Sequence, residues 1–141
     1  MKNPSRLFLL LFAFSACAAQ EAFDRLTFHA EPKPLSKAAK TSDWPRVLGP
    51  TDDAISPETP LLKKWTAGEP KAVWEVAMGD GYNSPAISGE HCVIFHALEG
   101  KETIECLHRE NGKRFWLHDY AVTYQDRYGF GNGPRGSPVI V

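Results

Sequence analysis

Beyond residue 72 the chain breaks into short stretches in which apolar and polar positions alternate, each stretch bounded by Gly, Asn or Asp. That period of two predicts β-strands. Val73-Trp74-Glu75-Val76 is the first, ended by Gly79-Asp80-Gly81. Ser84-Pro85-Ala86-Ile87 follows and turns through Ser88-Gly89-Glu90; His91 to His96 is the next strand, Leu98 to Lys101 the next turn, and Thr103 to His108 the strand after that. Asn111-Gly112, a dipeptide suited to the left-handed backbone of a hairpin turn, leads into Arg114-Phe115-Trp116-Leu117. Four short antiparallel strands in about 35 residues match one propeller blade or one sheet of a sandwich. The motif Ser84-Pro85-Ala86-Ile87 returns as Ser137-Pro138-Val139-Ile140, a spacing near the upper end of blade repeats of roughly 40 to 50 residues, and this echo favours the propeller. The expected fold class is all-β, with about one four-stranded blade from Val73 to near Leu117 and the start of the next. A blade buries both faces against its neighbours, and closure takes roughly four to eight blades. The chain by itself is therefore expected to be poorly soluble or partly folded.

Upstream the pattern changes twice. From Trp44 to Pro70 the prolines and glycines, among them Pro45, Gly49, Pro50, Pro57, Pro60 and Gly68, exclude a long helix. Residues 20–43, with Glu31-Pro32-Lys33-Pro34 and scattered Lys, Thr and Ser, show little hydrophobic periodicity and read as a flexible linker, so the folded part, 44–141, is expected to begin near Trp44. At the start, Lys2 and Arg6 precede an apolar run from Leu7 to Phe14 and the small residues Ser15, Ala16, Ala18 and Ala19, the layout of an export signal over 1–19. The run falls well short of the roughly 20 residues of a membrane-spanning helix. Two processing routes fit. Ala16-Cys17-Ala18 has the form of a secretory cleavage site, and Phe14-Ser15-Ala16-Cys17 is similar to the box before a lipidated bacterial cysteine, with Phe14 where an aliphatic residue is usual. Either route exports the chain, to the periplasm or the outer membrane; a membrane enters only through a lipid on Cys17.

Composition narrows the partners. The chain is 43% hydrophobic and 23% charged, normal for a globular protein, and its formal net charge of -1 gives no electrostatic reason to bind nucleic acid or an anionic bilayer. Cys92 and Cys106 flank the turn at Glu99-Gly100 almost symmetrically; they are candidates for a disulfide in an oxidising compartment, or for two buried reduced thiols. Gly131-Asn132-Gly133-Pro134-Arg135-Gly136 fits the Gly-x-Gly-x-x-Gly pattern formally, but a phosphate loop needs a helix after it, and a strand is expected here. His91, His96, His108 and His118 with Cys92 and Cys106 are zinc-type ligands, yet Cys92 and His96 lie about 13 Å apart along one strand, too far for a single tetrahedral ion. The densest aromatic and charged stretch is Tyr120 to Arg135. Within it Asp126, Arg127, Tyr128 and Arg135 are the candidate binding residues, on a long loop of the kind that carries function; the alternative is a structural loop in which Arg127 pairs with Asp126 or with a neighbouring blade.

Cys106-Leu107-His108-Arg109-Glu110-Asn111-Gly112-Lys113-Arg114-Phe115-Trp116 resembles the pyrroloquinoline-quinone-like (PQQ-like) repeat. In that repeat a strand ending Ala-Leu-Asp leads to Thr-Gly-Lys and a strand closing on Trp. Cys106, His108 and Asn111 replace the usual Ala, Asp and Thr. Trp44-Pro45 with Gly49-Pro50, Ile55 to Thr59, Leu61 to Trp65, Gly81 to Ala86 and Asp126 to Arg135 are similar, as a set, to the start of one bacterial group of these proteins. The resemblance implies an exported propeller of the cell envelope, serving as a scaffold or binding module that meets envelope proteins through its faces or loops. In the quinoprotein dehydrogenases of this architecture, pyrroloquinoline quinone and calcium sit in the central channel, commonly beside a disulfide between adjacent cysteines. No adjacent pair exists here, and no catalytic residue carries over, so a dehydrogenase reading puts the active site in further blades. An adhesion or carbohydrate-binding surface is a third expectation.

Overall fold

The computed structural model describes residues 22–68 and 70–141. The export segment and Cys17 lie outside the described residues. The protein is all-β, and among the described residues there is no helix; no helix is long and apolar enough to cross a membrane. Its strands are β1 (Leu26–Phe28), β2 (Trp74–Val76), β3 (Ala86–Ser88), β4 (His91–Leu98), β5 (Lys101–His108) and β6 (Arg114–Ala121). β3 to β6 form one antiparallel meander in chain order, and β1 pairs with β2 in a separate two-stranded sheet.

The hairpin between β4 and β5 explains why both strands run to eight residues. Glu99 and Gly100 have φ of 52° and 77°, the left-handed pair that a two-residue hairpin turn requires. Pairing therefore continues without a break from Leu98↔Lys101 to His91↔His108. Between β5 and β6, Gly112 (φ 70°) makes the turn, with its N–H on the His108 carbonyl at 2.8 Å. A bulge at Cys106/Leu107 then leaves Phe115 out of register, and its ring lies 5.0 Å from that of His91 and 5.7 Å from that of His108.

Two features differ from the sequence expectation. The expected blade begins at Val73, but Val73–Val76 stands outside the four-stranded meander. It pairs instead with Leu26–Phe28, in the stretch read as a linker, with Leu26 opposite Val76 and Phe28 opposite Trp74. A three-residue strand has too few positions to register as a period, and its partner lies far along the chain. The pair is held where it is by close packing: a Cβ on Gly112 would stand 2.6 Å from Leu26 Cδ1 and 2.7 Å from the Trp74 ring.

Directly opposed residues share a face, and neighbours alternate. One face of the meander carries Cys92, Ile94 and His96 with Thr103, Glu105 and Leu107, all buried. Phe23, Trp74, Val76 and Ile87 pack against the apolar part of it, and Trp74 Nε1 donates to the Arg109 carbonyl at 3.0 Å. The other face carries Val93, Phe95, Ile104, Cys106 and Trp116. Cys92 opposes Leu107 and Cys106 opposes Val93, so the two thiols point to opposite sides of the sheet. Both are free and buried; a disulfide between them does not fit this register. Burial pushes the Cys92 thiol up to about 11, with Cys106 nearby adding to the rise, and burial likewise raises Cys106.

Candidate functional site

After Ala121 the chain leaves the sheet and turns tightly around one carboxylate. Asp126 Oδ1 accepts the Tyr128 N–H at 3.2 Å and Oδ2 accepts the Phe130 N–H at 2.6 Å. The Asp126 N–H in turn donates to Asn132 Oδ1 at 2.7 Å. An aspartate that accepts from backbone donors two and four residues ahead nucleates a turn locally, and Gly129 (φ 75°) and Gly131 (φ 121°) supply the backbone angles it needs. The loop is also fastened to the meander. Gly133 sits so close to Asp80 that a Cβ would lie 2.1 Å from the Asp80 carbonyl oxygen. Pro134 O accepts the Tyr82 N–H at 3.0 Å, and Asn83 Nδ2 donates to both Phe95 O and Pro134 O.

The four residues expected to form a site thus divide. Asp126 has a side chain only 4% exposed and is occupied in holding the loop; Arg135 Nη2 approaches it at 3.7 Å, with the guanidinium 5.3 Å from the Tyr82 ring centroid. Arg127 and Tyr128 face solvent. Among the described residues Arg127 has no ion pair with Asp126 or any other carboxylate. Tyr128 is 75% exposed, Phe130 and Tyr124 nearly as much, and the Tyr128 and Phe130 rings lie 6.4 Å apart. Tyr124, with Asp80, Glu99, Thr123, Gln125 and Asn132, lines a cavity of about 320 Å³. The arrangement presents a cation and aromatic faces to solvent on a loop tied by several hydrogen bonds.

No family model matches this chain, and no curated protein or solved structure matches it.

A second polar cluster escaped the sequence reading. Glu105, fully buried, accepts from His96 Nε2 at 2.9 Å, forms an ion pair with Arg25 and has Arg114 Nη1 at 3.5 Å. The Gly79 N–H donates to His96 Nδ1 at 2.9 Å, which fixes the neutral tautomer with its proton on Nε2, directed at Glu105. Burial alone would raise the Glu105 carboxyl; the His96 hydrogen bond and the Arg25 contact outweigh it and hold the group at about 2. The Phe23 ring lies between Arg25 and Arg114, 5.1 and 4.7 Å from their guanidinium carbons. The cluster is sealed from solvent at its centre, and it clasps the segment before β1 onto the sheet. Its one trace in the sequence is Glu105, at the same strand parity as Leu107 where an apolar residue would be ordinary. Among the described residues no group of three or more His, Cys, Asp or Glu side chains is placed to hold a metal ion.

Proposed function

We propose that this chain is part of an exported β-propeller of PQQ-like repeats, acting as a scaffold or binding module at the cell envelope, with residues 122–135 as its binding surface. The observation that carries the reading is the loop tied around Asp126, from which Arg127, Tyr128 and Phe130 face solvent. Exposed aromatic and arginine side chains on a rigid support are the usual composition of protein-binding hot spots. The repeat reading draws support from the two copies of the Ser-Pro motif. The Ser84 N–H donates to Ser137 Oγ at 3.1 Å and the two hydroxyls lie 3.4 Å apart, so equivalent positions of the two motifs stand side by side, although the strand expected from Ser137 to Val141 is not formed. Photo-crosslinking in the producing cell tests the binding surface. A crosslinker replacing Tyr128 is expected to give a discrete adduct with an envelope protein, lost when Arg127→Ala is added, and one replacing Glu75 is expected to give none. Absence of an adduct at Tyr128 in the exported chain would overturn the reading.

A further inference from the structure

The meander has two edges, and the chain treats them differently. β3 is closed by Trp44, which exchanges backbone bonds with Ile87 at 2.9 and 2.8 Å. β6 is the last strand of the order, and among the described residues no strand pairs with its outer side. It is eight residues long, above the usual length for an unguarded edge. Natural edges are blunted by proline, by lysine, by a bulge or by a charge pointing along the sheet. From Trp116 to Ala121 there is no proline, glycine or lysine, and the one bulge lies at the start of the strand. Its charges are already engaged: Asp119 by Lys101 Nζ at 3.0 Å, and Arg114 by Glu105.

We propose that the outer edge of β6 pairs, antiparallel, with the same edge of a second copy of this chain, about a two-fold axis at His118. On one face the strand is self-complementary in that register, while on the other Leu117 of each copy meets Asp119. His118 meets its own counterpart, Trp116 meets Tyr120 of the other copy and Tyr120 meets Trp116. These three side chains lie on one face of β6, with Trp116 and Tyr120 still 48% and 42% exposed and the His118 and Tyr120 rings 6.2 Å apart. Pairing joins the two aromatic rows into one cross-strand ladder and satisfies the backbone groups of both edges in a continuous eight-stranded sheet. A formal net charge of -1 offers little self-repulsion against it. An edge-to-edge pair is independent of the loop reading, because residues 122–135 take no part in it.

Cysteine crosslinking of the full chain, in a Cys17→Ser background, tests the register. Opposed residues in an antiparallel pair lie within disulfide reach, so His118→Cys is expected to yield a covalent dimer as the main species under mild oxidation. Leu117→Cys and Asp119→Cys each face a different residue and are expected to stay largely monomeric. A second variant separates edge pairing from stacking of the apolar faces. Trp116→Glu with Tyr120→Lys removes the aromatic contact surface but sets the new acid of each copy against the new base of the other. It is expected to preserve the crosslink at His118→Cys, whereas Trp116→Lys with Tyr120→Lys is expected to abolish it. Equal crosslinking at 117, 118 and 119, no crosslink at His118→Cys, or loss of the crosslink in the Glu/Lys variant would each overturn the proposal.

Discussion

The two faces of the meander are built from the same strands and alternate residues, yet the chain covers one more completely than the other. The face of Ile94, Glu105 and Leu107 is covered by Phe23, Trp74 and Val76 and clasped by Arg25. The face of Phe95, Cys106 and Trp116 is covered less completely: Cys106 is buried, Val93, Phe95 and Ile104 are half-buried and Trp116 is exposed, and Val139, Ile140 and Val141 border, with Val93, Cys106 and Trp116, a cavity of about 400 Å³. Alternation alone makes such faces look equivalent. What distinguishes them is where distant segments return.

The covered face is most vulnerable at the clasp. Arg25→Met leaves Glu105 buried with its principal counter-charge gone, a loss of about 3–5 kcal/mol for a buried pair, and urea unfolding followed by tryptophan fluorescence should register it. The same site sets an acid limit. The Glu105 carboxyl is lowered from 4.5 to about 2 in the folded chain, so its contribution is complete above the unfolded value and is lost as pH falls from about 4.5 toward 2. Acid titration of the parent should show that loss, and Arg25→Met should move it to higher pH.

Next in size is a paired truncation. Leu107→Ala on the covered face should cost about 2–5 kcal/mol, while Trp116→Ala on the more exposed face should cost under about 1 kcal/mol; equal losses in denaturant midpoint would erase the distinction. Gly112→Ala should cost about 1–3 kcal/mol, because it strains a left-handed turn and drives a methyl into Leu26 and Trp74. Hydrogen exchange should locate the damage in β1 and β2 and spare β4. The smallest effect belongs to Ser137→Ala, which removes the acceptor of the Ser84 N–H and should cost about 0.5–1.5 kcal/mol, read as faster exchange at Ser84.

The strands of the meander were legible in the sequence because their information is local. Alternation, Gly89, Glu99-Gly100 and Asn111-Gly112 mark them, but their ends differ: β3 begins at Ala86 and not Ser84, and β6 runs on to Ala121, since a strand paired along its whole neighbour outlasts its own apolar stretch. β1 was not legible, for its three residues gain stability only from β2. Nor was the clasp, because Glu105 meets Arg25 across most of the chain. The cysteines show the limit of symmetry about a turn: Cys92 and Cys106 straddle Glu99-Gly100, yet a one-residue offset in pairing sends them to opposite faces. Of the candidate site, the loop and its arginines were visible as composition. That Asp126 points into the loop while Arg127 points out could only come from hydrogen bonds that the residue order does not display.

Hydroxyl-radical footprinting of the full chain reads the difference between the covered face and the more exposed face side chain by side chain. Trp116 should be oxidised several-fold faster than Trp74, with Phe95 and Ile104 ahead of Ile94 and Leu107. Equal protection of Trp116 and Trp74 in the monomeric chain would contradict it.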